Sequence, residues 1–554
     1  MPFDCSYIPA PANDTELSGL RDLESRRYDL DSHGSGNAAV SVSAARSPGG
    51  RYLLGVSAGW QTSGYTGSGR NMVTLVYATP EDAPGLTDKA LASAVGAIDR
   101  SGIEPYTDTF ANRPLIENPP VPGKIVSTAE GPFSSQLLTL SNGIKVYLRP
   151  STTKPDQVIV HGFSPGGFSM SYSPERKPVY TFMENALQVC GFVGHSAVDL
   201  RKLLAGHNVK STVKIGNMDE EIAVETTSAD LDAAMQVLYL KASGMTRDDT
   251  ALGALLAAER ARLAKPDRSA TFAMGDSIHS VVFRHHPLGE KLTLADLDKV
   301  DFDSLVSLYN ERFGDMSDFT FVITGNFDTD SVRPLVERYI ASLPANGRRE
   351  TPRDIGYGYA GGDSRHDYTH PMPQSPQSIA YSFYNAECDY NLPNVLTAHA
   401  LSSVFKTRLL NELREKRALS YGITTHCGIS NGFNGPGTPA RVIMPVYVKV
   451  KPGHEQEVFD VVRATIADLA KNGPTAEELA KVTAFMRKDI LESRDDNGYW
   501  DTVLKVNALY GRDMDSGYSG IVDAMTHAAV AAFAARYLTL PAASRTEMTM
   551  TPEK

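Results

Sequence analysis

The chain has 554 residues and a mass of 60.0 kDa, more than one hydrophobic core usually organises, so three or more structural units are expected. Hydrophobic residues make up 42% and charged residues 21%, which is typical of a globular protein and excludes the disordered and fibrous classes. The sequence has no run of about 18 apolar residues, and 54 Lys and Arg against 65 Asp and Glu give a net charge of −11, so we expect neither a membrane span nor a nucleic-acid partner.

The cysteines are few and scattered, at Cys5, Cys190, Cys388 and Cys427, without C-x-x-C spacing. The pattern therefore predicts neither a disulfide framework nor a cysteine zinc cage. The start, MPFDCSYIPAPANDTELSG, lacks the basic and apolar regions of an export signal. The compartment stays open between the bacterial periplasm and the cytoplasm.

Residues 1–125 differ from the rest of the chain. Gly/Ser-rich stretches alternate with the strand-like runs AAVSVSA, YLLGVSAG and MVTLVYA, and the helical pattern TDKALASAVGAIDRSG follows. The prolines of FANRPLIENPPVPGKIV then favour an extended linker. We expect an irregular N-terminal block.

From residue 135 the pattern becomes regular. The strands LSNGIKVYLRP and QVIVHGFSPGG precede a helix predicted over residues 179–188, the strand EEIAVETTS and the helix ADLDAAMQVLYLKASG. Thr246-x-x-Asp249 is similar to a capping box and predicts the start of the next helix. The strand DFTFVITGNF and the helix DSVRPLVERYIASLP complete this unit.

The same order of elements then recurs. The strand RVIMPVYVKV and the helix HEQEVFDVVRATIADLAKNG precede a capping box at Thr475-x-x-Glu478, 229 residues after the first box. The repeat predicts a tandem duplication of one α+β unit, giving two homologous domains, each with a largely antiparallel sheet flanked by helices. Chance agreement of a few elements is the alternative.

This chain resembles the pitrilysin/insulinase-like family of zinc metallopeptidases, the inverzincins, over roughly residues 100–554. LSNGIKVYL is similar to the family's opening strand, FTFVITGNFDTDSVRPLVERYIASLP to its closing strand and helix, and LREKRALSYGI to its substrate-chamber segment. The resemblance implies a mitochondrial-processing-peptidase-like fold: an N-terminal remnant and interhalf linker over 1–125 and two peptidase-like domains over 126–345 and 346–554.

The resemblance places the family's zinc motif, H-x-x-E-H, on Thr181-Phe182-Met183-Glu184-Asn185. In that motif two imidazoles bind zinc and the Glu is the general base. Here Glu184 is present, Thr181 and Asn185 occupy the histidine positions, and Glu259 lies near the position of the third ligand. Because Thr and Asn are weak neutral ligands, we predict that this chain binds no zinc. Glu184 and Glu259 are then ordinary helix carboxylates.

Other histidine pairs do not replace the motif. His366 and His370 have i, i+4 spacing, but they lie between GGDS and PMPQSP, which predicts a linker and not a helix. His285 and His286 precede a proline in a predicted loop. We expect solvated or hydrogen-bonded imidazoles at all four positions.

A second segment predicts substrate contact. An amphipathic helix is indicated by apolar residues that recur every four positions, namely Leu401, Phe405, Leu409 and Leu413. Arg414 ends this helix and Tyr421 begins the next strand-like run. In relatives an Arg and a Tyr so placed bind the substrate backbone, and a guanidinium and a phenol can stabilise an oxyanion. The alternative is an Arg bonded to helix carbonyls and a Tyr packed in the core.

The resemblance therefore implies a non-catalytic half or subunit of an inverzincin-type zinc metalloendopeptidase. Such a half forms one bowl of a clam-shell, binds peptide or unfolded protein, and contributes Arg414 and Tyr421 to a homologous partner half that holds the zinc. We therefore expect this chain to supply no metal ligand and no catalytic group. The alternative is a peptide-binding or scaffold protein of the same fold with no role in proteolysis.

Overall fold

Contacts divide the computed structural model into two units, Met1–Asp108 and Thr109–Lys554. The structure describes the strands at 26–29, 36–46 and 52–62 and residues 113–553 apart from 265–268, 373–376, 421 and 431–438. In the first unit three antiparallel strands lie in the order β1-β2-β3, namely Arg26–Asp29, Gly36–Arg46 and Tyr52–Thr62. The strands predicted from AAVSVSA and YLLGVSAG are confirmed, while MVTLVYA and TDKALASAVGAIDRSG lie outside the described residues.

A seven-stranded sheet forms the first half of the second unit, in the order β4-β5-β6-β12-β7-β10-β9. Only the β6/β12 pair is parallel. Between β5 and β6, Asn142 and Gly143 form a turn, with Gly143 at a φ of +85° that suits glycine. The strands are β4 Ile125–Glu130, β5 Gln136–Leu140, β6 Lys145–Pro150, β7 Val158–Pro165, β9 Val209–Ile215, β10 Asp219–Thr226 and β12 Thr320–Gly325. The short strands β8 Gly191–Phe192 and β11 Met245–Thr246 pair separately.

A six-stranded sheet forms the second half, and its main path runs β13-β18-β14-β17-β15, with β16 also on β17. Here only the β13/β18 pair is parallel. Burial alternates along β17, because successive side chains of a strand point to opposite faces of the sheet. The strands are β13 Asp363–His370, β14 Ser378–Cys388, β15 Ile423–Thr425, β16 Gly428–Ser430, β17 Ala440–Val450 and β18 Ser544–Pro552.

The two sheets share one topology. In each half the opening strand (β6 or β13) pairs in parallel with the closing strand (β12 or β18), and the following strands add in the same antiparallel order. The two halves are therefore alike in strand connectivity as well as in the order of elements along the sequence. The predicted fold class, two α+β domains with largely antiparallel sheets flanked by helices, is confirmed.

Helices cover the sheets, and their apolar residues follow helical spacing. In the second half Val458, Val462, Ile466 and Leu469 are all buried on one helix, as their spacing predicts. The helices of the described residues include α1 Lys177–Val189, α2 Ala197–Leu203, α3 Leu231–Ser243, α4 Asp249–Ala264, α5 Ala270–Val282, α6 Leu294–Leu297, α7 Phe302–Phe313, α8 Thr329–Leu335, α9 Leu392–Leu410, α10 Glu455–Asn472, α11 Ala476–Arg494, α12 Asn497–Tyr510, α13 Tyr518–Asp523 and α14 His527–Leu538. Among them none is long and apolar enough to cross a membrane.

The two halves exchange one helix each. Helix α5 of the first half lies on strands β14 and β18 of the second sheet, and helix α12 of the second half lies on β7 and β12 of the first sheet. These pairs of strands are topological equivalents. The exchange buries apolar residues between the halves, because α5 and α12 each contribute to a cluster that includes residues of the opposite sheet.

Two local predictions need correction, and one is confirmed. The capping box at Thr475 and Glu478 is formed. The box at Thr246 and Asp249 is not formed, because Asp248 accepts the bond from the Ala251 N–H and Thr246 lies in β11, where its Oγ1 accepts from the Gly194 N–H at 2.8 Å. The nearer carboxylate therefore caps α4.

The linker predicted around His366 and His370 is also wrong. Both residues lie on β13, whose exposure alternates along the whole strand. Two residues four apart on a strand are separated by about 13 Å, so they cannot chelate one metal ion together. The domain boundaries predicted at 125 and 345 stay predictions.

Candidate functional site

Helix α1 carries the residues that are predicted to correspond to the family's zinc motif. It forms where Val179, Phe182, Met183 and Ala186 are buried against the core, which extends the predicted helix to Lys177–Val189. Thr181 and Glu184 are exposed, and Asn185 is partly exposed. The helix thus presents the motif positions on its accessible face, but with a hydroxyl and an amide where the family has imidazoles.

Glu259 lies on helix α4, which contacts α1. Its carboxylate accepts hydrogen bonds from Nε and Nη2 of Arg262 at 2.7 and 2.5 Å. The pair with Arg262 lowers the pKa of Glu259, against a smaller opposing effect of burial. Sequence reasoning missed Arg262, although its i, i+3 spacing from Glu259 is a signal for such a pair.

The residues at these positions do not fit zinc. Thr181 and Asn185 provide neutral oxygen or nitrogen atoms, and the charge of Glu259 is already compensated by Arg262. Within the described residues no group of three or more His, Cys, Asp or Glu is placed to hold a metal ion. Thr181, Glu184, Asn185 and Glu259 remain predicted counterparts of the family's site.

The adjacent histidines His285 and His286 have hydrogen-bond partners of their own. The Nε2–H of His286 donates to the carbonyl of Ile355 at 3.0 Å, and its Nδ1 accepts from the Leu288 N–H at 3.2 Å. Burial lowers the pKa of His286, consistent with a neutral ring. His285 Nδ1 lies 2.7 Å from the hydroxyl of Ser280.

The segment that is predicted to contact substrate, from Arg414 to Tyr421, follows helix α9. Leu401, Phe405, Leu409 and Leu413 are all buried, which confirms the amphipathic helix, and the chain continues beyond Leu410 as a π-helical turn, Asn411–Lys416. Arg414 lies in that turn with its side chain 57% exposed and its Nε 3.5 Å from Oε1 of Glu415. The guanidinium is therefore accessible to a ligand.

Tyr421 lies outside the described residues. On one side of it, Ser420 is buried and its hydroxyl donates to the carbonyl of Lys449 on β17 at 2.6 Å. On the other side, β15 begins at Ile423 and pairs with β17. The substrate roles of Arg414 and Tyr421 stay predictions.

A cavity of about 600 Å³ adjoins the Arg414 turn. Its charged lining is mostly paired: Arg408 donates to both carboxylate oxygens of Glu478, at 2.8 and 2.6 Å, and to Asp468 at 2.6 Å. The bonds from Arg408 lower the pKa of Glu478 to about 2. These pairs join helices α9, α10 and α11 and stabilise the base of the segment that carries Arg414.

Strand β9 is the second accessible element beside the degenerate helix. It contacts α1 and α3, and it ends the first sheet, so among the described residues no strand pairs with its outer side. A free strand edge presents backbone donors and acceptors in a row, which is the feature that extended peptides bind. Sequence reasoning did not single out this strand, VKSTVKI.

Comparison with known proteins agrees with this fold. Residues 299–485 match the family model described as Peptidase M16 inactive domain. A "Zinc protease PQQL-like" protein of Arabidopsis thaliana is 22% identical over 418 residues, which cover 73% of this chain and 41% of that protein. The chain thus spans less than half of that relative's length.

Solved structures share the fold at low identity. The periplasmic protease PqqL from Escherichia coli superposes with a TM-score of 0.71 and 16% identity, covering 84% of this chain and 51% of PqqL. A peptidase M16 inactive domain from Pseudomonas fluorescens superposes with a TM-score of 0.60 and 15% identity, covering 76% of this chain and 99% of that chain.

The fold is that of zinc-protease-like chains, and the residues predicted to correspond to the family's metal ligands do not fit zinc. More particularly, residues 299–485 match the peptidase M16 inactive domain, and the chain is related to PqqL-like zinc proteases. The resemblance to pitrilysin/insulinase-like metallopeptidases is therefore confirmed.

Proposed function

We propose that this chain is the non-catalytic half or subunit of an inverzincin-type zinc metalloendopeptidase. One observation carries the proposal: helix α1 keeps Glu184 but has Thr181 and Asn185 where two imidazoles are needed. Zinc, the activated water and the general base then belong to a homologous partner half. This chain forms the other bowl of a clam-shell and binds unfolded peptides.

The length comparison supports a missing half. The chain covers 41% of the Arabidopsis relative and 51% of PqqL, so each of these proteins has about one further chain length in which a zinc-bearing half can lie. That relative is described as a zinc protease, whereas the family model that matches residues 299–485 describes an inactive domain. A division of labour between two halves accounts for both descriptions.

Two accessible features support peptide binding. The exposed guanidinium of Arg414 can donate to carbonyl or carboxylate groups of a substrate, and the free edge of β9 can pair with its backbone. Tyr421, seven residues after Arg414, is proposed to donate to the scissile carbonyl as charge develops on its oxygen.

The test combines the purified chain with a separately purified H-x-x-E-H half and measures cleavage of a quenched fluorescent peptide. We expect no cleavage by this chain alone, cleavage by the mixture, and loss of cleavage when a chelator is added. Chelator-sensitive cleavage by a homogeneous preparation of this chain alone would contradict the proposal. Peptide binding without any cleavage in the mixture would favour the peptide-binding or scaffold alternative.

Substitutions in the substrate segment assign the roles within the active mixture. Tyr421→Phe should lower kcat by about 10²-fold if its hydroxyl stabilises the oxyanion, and Arg414→Ala should lower kcat/KM. Arg417→Ala is the matched control, because Arg417 is also exposed but is paired with Glu457 at 2.9 Å. Equal rates for the Tyr421→Phe variant and the wild type would reassign Tyr421 to packing.

A further inference from the structure

Strand β9 has two different faces. Val209, Ser211 and Val213 are partly buried and Ile215 is buried, because this face of the strand lies toward the helices. The alternate residues Lys210, Thr212 and Lys214 are all exposed. Two ammonium groups four residues apart therefore lie on one side of a free sheet edge.

The carboxylates opposite these lysines have other hydrogen-bond partners, a neutral amide for Glu225 and a lysine for Glu221. Across the β9/β10 pair, Lys210 is opposite Glu225 and Lys214 is opposite Glu221. Glu225 accepts a hydrogen bond from Gln157 at 2.8 Å. Glu221 is bonded to Lys505 of helix α12, and its Oε2 lies 3.3 Å from Nε2 of His161. Within the described part of the chain, neither β9 lysine forms an ion pair, although the charge of Lys214 partly offsets the rise in the pKa of Asp219 that burial causes.

We infer that the β9 edge selects extended peptides that carry acidic side chains four residues apart, at the positions opposite Lys210 and Lys214. This inference rests on the proposed peptide-binding function and adds a substrate class to it. In a paired strand, directly opposite residues share a face, so acidic residues at positions n and n+4 face both lysines while the residue at n+2 faces Thr212.

The spacing requirement follows from strand geometry. Residues an even number apart lie on the same face of a strand, whereas residues an odd number apart lie on opposite faces. A peptide with two acidic residues three apart can therefore present only one of them to the lysines. Edge lysines can also serve to discourage edge-to-edge association, but that role by itself predicts no preference among peptides of different charge.

The experiment measures binding of fluorescent peptides to the full chain by anisotropy at low ionic strength. The peptides have equal length and differ only at two positions four apart, which hold Glu, Gln or Lys, with Thr midway. Two exposed ion pairs should make the Glu peptide bind about tenfold more tightly than the Gln peptide. The difference should shrink as salt is added. A peptide with its two Glu residues three apart should lose most of the gain.

The decisive variant is Lys210→Glu with Lys214→Glu, which should reverse the order so that the Lys peptide binds most tightly. The matched control is Lys406→Glu with Lys471→Glu, an equal charge change at exposed lysines on helices α9 and α10, which should keep the preference for Glu. Circular dichroism checks that both variants fold.

The outcomes separate this inference from the proposed function. Equal affinity for the three peptides would overturn acidic selection and leave the peptide-binding function in place. A preference for Glu that persists in the Lys210→Glu, Lys214→Glu variant would also overturn the inference. If no peptide binds to the wild-type chain, both the inference and peptide binding by the isolated chain fail.

Discussion

Helices α5 and α12 lie in corresponding places on the opposite sheets, yet different chemistry holds them there. The buried side chains of α5 are apolar, Met274, Val281 and Val282, and they pack in a cluster with five residues of β14 and β18. Helix α12 contributes Leu504 to a smaller cluster with Phe163 and Val322. Around that cluster the α12 contact is strongly polar.

The polar contact of α12 centres on His161 of strand β7. Its Nδ1 lies 2.8 Å from Oδ2 of Asp501, and its Nε2 lies 3.3 Å from Oε2 of Glu221. Lys505 bonds to Glu221 and lies 3.5 Å from Asp219. Asp501 and Lys505 of the helix thus face basic and acidic groups of the sheet, with a carboxylate beside each basic group.

The difference separates two functions of an interface between repeats. The free energy of apolar burial is non-directional and roughly proportional to the area removed from water. Helix α5 therefore stabilises the contact between the halves without requiring particular pairs of residues. Hydrogen-bonded charges require particular partners, and removing one partner leaves a buried charge uncompensated. Helix α12 therefore fixes how the first sheet aligns with the second half, and its contribution should depend on pH and salt.

The largest effect is expected in the apolar contact. Met274 is fully buried, so Met274→Ala should lower the free energy of unfolding by about 2–5 kcal/mol, through lost transfer free energy and the cavity left behind. Urea denaturation at several pH values measures this loss, which should not vary with pH. The matched control is Phe272→Ala on the same helix, where the side chain is 45% exposed and a much smaller loss is expected.

A pH dependence should distinguish the α12 contact. Burial opposes the charged ring, but the hydrogen bond to Asp501, the contact with Glu221 and the negative charge of both carboxylates raise the pKa of His161 from 6.5 to about 9. Because the folded state holds this proton more tightly, the contribution is complete below pH 6.5 and is lost as the pH rises toward 9. From the size of the shift, the loss is about 3 kcal/mol.

The measurement compares unfolding free energies of wild type, His161→Gln and Met274→Ala between pH 6.5 and pH 9. The wild type and Met274→Ala should share the same decline, and His161→Gln should be flatter by about 3 kcal/mol. Equal slopes for the wild type and His161→Gln would mean that the histidine is not charged in the folded chain. The α12 contact would then not be stabilised by a charged histidine, and it would not differ from the α5 contact in its pH dependence.

Local patterns allowed much of the fold to be predicted. The spacing of Leu401, Phe405, Leu409 and Leu413 and the capping box at Thr475 act within a few residues, and both are confirmed. The Thr246 box is wrong because Asp248 offers a competing oxygen two residues later. The exchange of α5 and α12 could not be predicted, since amphipathic spacing indicates a buried face without identifying the sheet that buries it.

The sequence allowed predictions about the site only where the residue type alone determines the chemistry. Thr181 and Asn185 indicate the loss of zinc ligands from their chemistry alone. Within the described residues Lys214 and Lys210 form no ion pair. The carboxylates opposite them are bonded to distant partners: Glu221 to Lys505, 284 residues away, and Glu225 to Gln157, 68 residues away. No local pattern in VKSTVKI carries that information.

A smaller effect is expected at the start of helix α12. Asp496 is its N-cap and accepts from the N–H groups of Gly498 and Tyr499 at 2.7 and 3.2 Å. Asp496→Ala should lower the unfolding free energy by about 0.5–2 kcal/mol, while Asp496→Asn, which keeps a capping oxygen, should lose less. Equal losses in the two variants would assign the effect to the ion pair with Lys154 and not to capping.

The smallest effect is expected from Lys154. This residue lies between β6 and β7 and forms an ion pair with Asp496 at the start of α12. Lys154 and Asp496 are 45% and 43% exposed, so water and salt screen their attraction. Lys154→Ala should cost less than about 1 kcal/mol, and the cost should vanish at high salt. Denaturation at low and high salt measures it. A large, salt-independent loss would mean that alignment of the halves depends on the rim of the α12 contact, and not on the buried charges around His161.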